Sequence, residues 1–265
     1  MVSFSESVSL MKKSFNILMS DKRLVLFPFL STIAVILLII SFFVPLLSIE
    51  QDFLLYVMLF VFYVLVNFIA VFFNSSLYFA IKQKLQDKPY SISECIGFSF
   101  SKIRNIFLWS LFAATVGIFL QALRDKSNSL FGRLIVGFIG AAWSVASFFV
   151  IPIMVFEDQG PIESLKKSAS LIKNTWGAQV TQGIGFGLIF FILFILGLGI
   201  GFALFYMLDL SGTSLLTLIA LLVVYIVLLS LVNATLRSIF TTALYLKLNE
   251  GVSTEFDEFS SGAFK

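Results

Sequence analysis

Residues Ile151–Trp176 read IPIMVFEDQGPIESLKKSASLIKNTW, and the interpretation of the whole chain starts from this stretch. It begins at the end of an apolar run, turns at Glu157–Pro161 and continues as a basic segment. Apolar residues recur in that segment at helical spacing, at Ile162, Leu165, Ala169, Ile172 and Trp176. A helix with one apolar stripe and lysines away from it lies in the interface between bilayer and water. The stretch therefore predicts an interfacial helix, about residues 161–176, between two membrane spans.

The composition of the chain is that of a membrane protein. Apolar residues make up 59% of the 265 residues and charged residues 12%, and the mean hydropathy of +1.02 is far above a soluble average. Apolar runs long enough for a bilayer core of ~30 Å recur along the chain. They predict spans at about residues 24–47, 53–80, 106–123, 134–156, 183–207 and 215–240. The expected fold class is all-α, a polytopic helical membrane protein with six transmembrane helices.

Two other segments are similar to the helix at 161–176, at about residues 3–19 and 92–105. Glu94–Asn105 aligns without gaps with Glu163–Asn174, and the glutamate, both serines, the isoleucine, a basic residue and the asparagine coincide. The N-terminal segment fits more loosely. One interpretation is that any two basic amphipathic helices look alike. The other is a threefold internal repeat, in which each unit is an interfacial helix followed by a membrane hairpin.

The distribution of positive charge predicts how the chain is threaded. With six spans, 15 of the 18 lysines and arginines fall on the side that carries both termini and the interfacial helices. The other side carries Arg124, Lys126 and Arg133. Such a bias places the basic side in the cytoplasm. We expect a single integral membrane domain over residues 1–248, both termini in the cytoplasm and a short disordered tail over residues 249–265.

Basic residues on the interfacial helices are the candidate contacts to lipids or partner proteins, since each contributes ~1 kcal/mol near an anionic surface. Together with one arginine in the last span, these candidates are Lys12, Lys13, Lys102, Arg104, Lys166, Lys167, Lys173 and Arg237. Arg237 lies in a long apolar run, where it is expected near the cytoplasmic boundary and can extend its side chain to water. The alternative is that Arg237 is a ligand in a cavity or for a headgroup.

The fifth span is rich in glycine. Gly183 with Gly187, and Gly197 with Gly201, have the spacing that lets two membrane helices pack closely. These four residues are therefore predicted to be helix-packing positions. A hinge or gate is the alternative.

Asn67 and Asn74 are seven residues apart in the second span, so they lie on one helix face. We expect them to hydrogen-bond between helices. The alternative is that they line a polar pathway.

The residue types needed for most catalytic chemistry are scarce. The chain has no histidine and one cysteine, Cys95, so it offers neither an intramolecular disulfide nor a cysteine cluster for a metal. Glu157 and Asp158 could perform acid–base chemistry, but they fit a solvated turn before a helix N-terminus better. We expect a protein that is not an enzyme and has no cofactor or metal. A net charge of +3 is also too small to suggest nucleic acid.

Three marks carry a resemblance to a known family: DKRLVLFP at Asp21–Pro28, FFVIPIMVFEDQGPIESLKKS at Phe148–Ser168 and KNTWG at Lys173–Gly177. They resemble a prokaryotic family of six-span membrane proteins of unknown function, which implies a prokaryotic cytoplasmic membrane and no particular activity. More remotely, the architecture is similar to the membrane domain attached to some bacterial glycerophosphodiesterases. The chain contains no phosphodiesterase domain, so that activity does not follow from the resemblance.

Two functional hypotheses follow from these observations. The first is a non-enzymatic integral membrane protein that organises lipids or partner proteins at the cytoplasmic face through its basic helices. Its expected partners are anionic lipid headgroups, with a partner protein or a homo-oligomer as further possibilities. The alternative is a transporter or channel with a polar path near the second, fifth and sixth spans.

Overall fold

A computed structural model describes residues 4–48, 53–127, 129–173, 176–208 and 211–251. These residues form α-helices and one 3-10 turn, Lys22–Val25, with no strand in the described ranges. The helices are α1 Phe4–Ser20, α2 Leu26–Ser48, α3 Phe53–Leu85, α4 Ile92–Ser101, α5 Ile103–Lys126, α6 Leu130–Ala146, α7 Val150–Phe156, α8 Pro161–Lys173, α9 Trp176–Met207 and α10 Gly212–Glu250. The predicted all-α fold class is confirmed.

Six segments of the described chain are long and apolar enough to cross a membrane. They are Lys22–Pro45, Phe53–Leu85, Ile103–Lys126, Leu130–Phe156, Phe186–Met207 and Gly212–Asn249. Between 6% and 22% of each apolar window is buried inside the protein. Helices satisfy their own backbone hydrogen bonds, as a segment in lipid must. The apolar surfaces of these segments are also largely uncovered by the rest of the protein, which suits them to contact with lipid. The chain is therefore a polytopic helical membrane protein with six candidate spans, as predicted.

The fourth span is not the single helix predicted over residues 134–156. It consists of α6 and α7, with a turn at Ser147–Phe149 between them. Pro152 accounts for the break, because its ring has no N–H and clashes with the carbonyl group four residues earlier, at Phe148. Proline is tolerated in the first turn of a helix, which is where Pro152 lies in α7.

The boundaries of two interfacial helices also differ from the prediction. The helix predicted at 92–105 ends at Ser101, and Lys102 separates α4 from α5. The helix predicted at 161–176 ends at Lys173, and Trp176 is the first residue of α9. Residues 174 and 175 and the side chain of Trp176 lie outside the described residues, so the predicted extension of the apolar stripe to Trp176 stays a prediction.

The helices fall into two compact units. The first unit contains α1, the 3-10 turn, α9 and α10 up to Phe240, and in it α1 packs against α9. The second unit contains α2 to α8 and the last turns of α10. The prediction of a single membrane domain over residues 1–248 stays a prediction. Of the tail predicted to be disordered, Asn249 and Glu250 still belong to α10, and residues 252–265 lie outside the described residues.

The interfacial helices bury small polar residues where an apolar stripe was predicted. In α8 the buried residues are Ser164, Ser168 and Ile172, whereas Ile162, assigned to the stripe, is 53% exposed. A small side chain lets two helices approach closely, and α8 packs against α7 at this contact. The Ser168 hydroxyl accepts a hydrogen bond from the backbone N–H of Phe149 at 3.0 Å. The predicted stripe was therefore wrong at Ile162 and at Ala169, which is also exposed, whereas Ile172 is buried as predicted.

A buried serine occupies the matching place in each interfacial helix. Ser14 in α1, Ser99 in α4 and Ser168 in α8 are all fully buried. The Ser99 hydroxyl forms a hydrogen bond with the Ser76 hydroxyl of α3 at 2.7 Å. The Ser168 hydroxyl likewise bonds to another segment, at the backbone N–H of Phe149. Ser99 and Ser168 coincide in the gap-free alignment of the two segments. The threefold repeat stays a prediction, and the shared buried serine is a feature that such a repeat would produce.

Candidate functional site

The turn that follows α7 is a polar junction in the second unit. Glu157 caps the C-terminus of α7, and its side chain is 17% exposed. The carboxylate accepts hydrogen bonds from Lys167 Nζ of α8 at 2.6 Å, from the Tyr245 hydroxyl of α10 at 2.8 Å and from Gln159 Nε2 at 2.9 Å. One half-buried carboxylate therefore joins its own turn to α8, which follows directly, and to the end of α10, which is distant in sequence.

The neighbouring residues of the turn reach a further pair of helices. Asp158 has a φ of +56°, a conformation that aspartate adopts more readily than most residues. Its carboxylate pairs with Lys102 Nζ at 2.8 Å, and Asn105 Nδ2 donates to the Gln159 carbonyl group at 3.3 Å. These contacts bind the α4–α5 turn to the same junction. The carboxylates have partners within the protein, which is the arrangement of a structural junction.

The structure divides the basic candidate residues into two groups. Lys102 and Lys167 belong to the junction, because each pairs with a carboxylate of the turn. Lys12, Arg104 and Lys166 are exposed, and within the described part of the chain no carboxylate forms an ion pair with them. The second group has charge that is free to meet a ligand outside the protein. Sequence reasoning treated all five alike.

The remaining basic candidates differ from one another. Lys13 is half-buried and has a partner within the protein. The side chain of Lys173 lies outside the described residues. Arg237 is exposed, although the residues beside it in α10 are buried, and its Nε donates to Asn233 Oδ1 at 3.2 Å. Its guanidinium lies beside Gly187, so it reaches from α10 towards α9.

The first unit contains an apolar groove of about 570 Å³ between α1, α9 and α10. From α1, the lining residues are Val8, Met11, Lys12 and Phe15. From α9, they are Ile189, Phe190 and Leu193. From α10, they are Tyr225, Leu228, Leu229, Val232 and Leu236. Lys12 is the charged residue of this lining, but Lys12 and Tyr225 line the groove with their apolar atoms only.

The glycines of α9 lie against α10. A Cβ at Gly197 would overlap the ring of Tyr225, and one at Gly201 would lie 2.8 Å from Leu222 Cδ1. The Tyr225 hydroxyl donates to the Leu193 carbonyl group at 2.6 Å and holds the ring in place. Close helix packing is thus the arrangement around Gly197 and Gly201. Gly183 lies in α9, in the part whose side-chain surroundings are not described.

Among the residues that the structure describes, the asparagines of α3 form no hydrogen bond to another helix. Asn67 Nδ2 donates to the Tyr63 carbonyl group at 2.9 Å, one turn earlier in the same helix. A polar side chain in an apolar helix satisfies its donor in this way when no partner faces it. Asn74 is half-buried in the same helix. The expected interhelical bond of Asn67 is therefore replaced by a bond within α3.

A comparison with models of known families finds a match that includes the part of the chain with this junction. A family model matches residues 53–255, which is most of the chain. The chain belongs to a family of unknown function (DUF6159). The match includes the marks at Phe148–Ser168 and Lys173–Gly177 but not Asp21–Pro28. A prokaryotic origin and the likeness to the glycerophosphodiesterase membrane domain stay predictions.

The other two comparisons, with curated proteins and with solved structures, find no significant match. The matched range begins after α1, so the wall of the groove formed by α1 lies outside it. The groove, the partner role of Tyr245 and the pairing of Lys102 and Lys167 were all missed from the sequence. A usable signal existed for Tyr245 alone, because a tyrosine near the polar end of an apolar helix needs a partner for its hydroxyl.

Proposed function

We propose that the protein is a non-enzymatic integral membrane protein that organises anionic lipids at the cytoplasmic face through its interfacial helices. The observation that carries the proposal is the exposed charge of Lys12, Arg104 and Lys166, which form no ion pair with the residues that the structure describes. These side chains lie on or next to helices whose other faces are buried in the protein. The helices are therefore held in place, and their charge is presented outward.

The sequence KKS occurs in α1 at Lys12–Ser14 and in α8 at Lys166–Ser168. Two residues correspond to about 200° around a helix, so the first lysine and the serine lie on nearly opposite faces. The serine is fully buried in both helices, and the first lysine is exposed in both. The same local pattern thus docks one face and directs a positive charge away from it, which suits attraction to anionic headgroups.

The transporter or channel alternative has less support from the described residues. Asn67 bonds within its own helix, and Gly197 and Gly201 pack against side chains of α10. These residues motivated a polar path, and their observed contacts are those of helix structure and packing.

Charge-neutralising variants test the proposal. In nanodiscs that contain phosphatidylglycerol and phosphatidylcholine, energy transfer from the protein's tryptophans to a dansyl lipid measures which lipid surrounds the protein. We expect Lys12→Gln with Arg104→Gln and Lys166→Gln to reduce the preference for phosphatidylglycerol. At ~1 kcal/mol for each basic residue, the reduction is at most about 150-fold.

The control neutralises the same number of charges elsewhere. Arg124, Lys126 and Arg133 are predicted to lie on the other side of the membrane. Their triple change to glutamine should leave the preference near that of the unmodified protein. An equal loss in both triple variants would show that net charge alone attracts the lipid, and no loss in the first would contradict the proposal. Reporters fused at the two termini test the proposed cytoplasmic orientation.

A further inference from the structure

We propose that the groove between α1, α9 and α10 is a binding site for one anionic phospholipid, with an acyl chain in the groove and the headgroup at Lys12 and Arg237. This inference rests on the proposed function, since it places one lipid of the class that the basic helices attract at a particular site. All of its parts lie in the first unit.

The dimensions of the groove fit an acyl chain of one leaflet. On α10 the lining extends from Tyr225 to Leu236, which at ~1.5 Å per residue is about 16 Å along the helix. One leaflet contributes about half of the ~30 Å hydrocarbon core, or about 15 Å. The groove volume of about 570 Å³ also falls within the range of sites that hold small organic ligands.

The charge of Arg237 lies near one end of the groove. Leu236 lines the end that is near Arg237, the next residue of α10, whereas Tyr225 lines the other end. Arg237 Nε bonds to Asn233, and its guanidinium lies beside Gly187 of α9, two residues before the lining residue Ile189. Arg237 therefore lies between α9 and α10, beside the end of the groove that Leu236 lines. Lys12 belongs to the lining that α1 contributes.

This combination selects a lipid over other apolar occupants. A helix of a partner protein would place apolar side chains along the whole groove and would leave Lys12 and Arg237 without a counter-charge. An anionic phospholipid supplies an apolar chain and a phosphate that accepts hydrogen bonds from lysine and arginine. The apolar side chains Val8, Phe15 and Leu228 are more than a third exposed, so a chain in the groove would cover them.

The test measures retained lipid by native mass spectrometry. The full-length protein is released from nanodiscs of dioleoyl phosphatidylglycerol or dioleoyl phosphatidylcholine. We expect one phosphatidylglycerol retained per chain and much less phosphatidylcholine. Leu228→Trp fills the groove without changing charge and should lower the retained lipid more than about tenfold, the factor that roughly two buried CH₂ groups provide. Arg237→Gln should lower it about fivefold.

The matched control for the groove is Leu221→Trp. Leu221 is 63% exposed and Leu228 is 56% exposed, and they are seven residues apart on one face of α10, but Leu221 does not line the groove. We expect this control to retain lipid as the unmodified protein does. Equal retention in the Leu228 and Leu221 variants would overturn the inference.

A second measurement does not depend on the folding of any variant. A phosphatidylglycerol with a diazirine in its acyl chain, photolysed in nanodiscs with the unmodified protein, should label peptides of α1, α9 and α10 that line the groove. Labelling spread evenly over the six spans would overturn the inference. The two variants distinguish this inference from the proposed function. If the Lys12, Arg104 and Lys166 variant loses its preference for phosphatidylglycerol but Leu228→Trp has no effect on the retained lipid, only the lipid site in the groove is rejected.

Discussion

Replacing Gly197 with alanine should destabilise the first unit. The added methyl group would overlap the ring of Tyr225, which cannot easily turn away because its hydroxyl donates to the Leu193 carbonyl group at 2.6 Å. Gly199 is the matched control, since a Cβ there meets nothing within 4 Å. Both changes replace a glycine with alanine in the same helix, so the helix-propensity gain of about 1 kcal/mol is common to them.

The size of the effect follows from the contact that is lost. Inserting a methyl group into a packed contact costs about 1–3 kcal/mol, and an interhelical hydrogen bond in a membrane protein contributes about 0.6 kcal/mol. Gly197→Ala should therefore be less stable than Gly199→Ala by roughly 1.5–3.5 kcal/mol. Gly199→Ala itself should match or exceed the unmodified protein in stability.

The free energy of unfolding can be measured by titration with sodium dodecyl sulfate in mixed micelles, with tryptophan fluorescence as the signal. Combining Gly197→Ala with Tyr225→Leu should recover part of the loss, and the coupling in this double-mutant cycle should exceed about 1 kcal/mol. If Gly197→Ala were as stable as Gly199→Ala, the close packing of α9 and α10 at Tyr225 would be refuted.

Three further predictions concern the second unit. Glu157→Gln should lower the free energy of unfolding by roughly 1–2 kcal/mol in the same assay, because the amide nitrogen cannot accept the hydrogen bonds that one carboxylate oxygen accepts. An unchanged free energy of unfolding would show that the junction contributes little to stability. Ser91→Ala should lower the free energy of unfolding by about 1 kcal/mol, because it removes the capping box at the start of α4. Ser101→Ala is the control: it removes an exposed hydroxyl at the end of the same helix and should lower the free energy of unfolding less. Cys95 is fully buried, so a maleimide should modify it slowly. The control is a cysteine placed at the exposed Gly97 in a Cys95→Ser background, which the maleimide should modify faster. Equal rates of modification would contradict the burial of Cys95.

The limits of sequence reasoning are clearest in α8. Its position, its basic character and the turn before it were predicted, because they depend on local composition and on the glycine and proline at Gly160–Pro161. Its buried face was assigned to Ile162 by hydrophobicity, yet the protein buries Ser164 and Ser168. The reason is that close contact with α7 favours small side chains, and that contact is absent from any local pattern.

The candidate site shows the same division between local and non-local information. Exposure of Lys166 could be expected from its place off the apolar stripe. The pairing of the next residue, Lys167, with Glu157 depends on the path of the chain through the turn and on the end of α10, which brings Tyr245 to the same carboxylate. The groove likewise requires α1 to lie against α9, across most of the length of the chain.

The sequence by itself determined the all-helical fold and the six spans. A bilayer core of fixed thickness demands apolar runs of matching length, and a chain in lipid must satisfy its backbone hydrogen bonds internally. Only the tertiary structure decided which lysines are paired, which face of each interfacial helix is buried and where an apolar groove stays open. Those features arise from contacts between residues that are distant in the chain, and lipid-facing and protein-facing surfaces are equally apolar, so hydropathy cannot distinguish them.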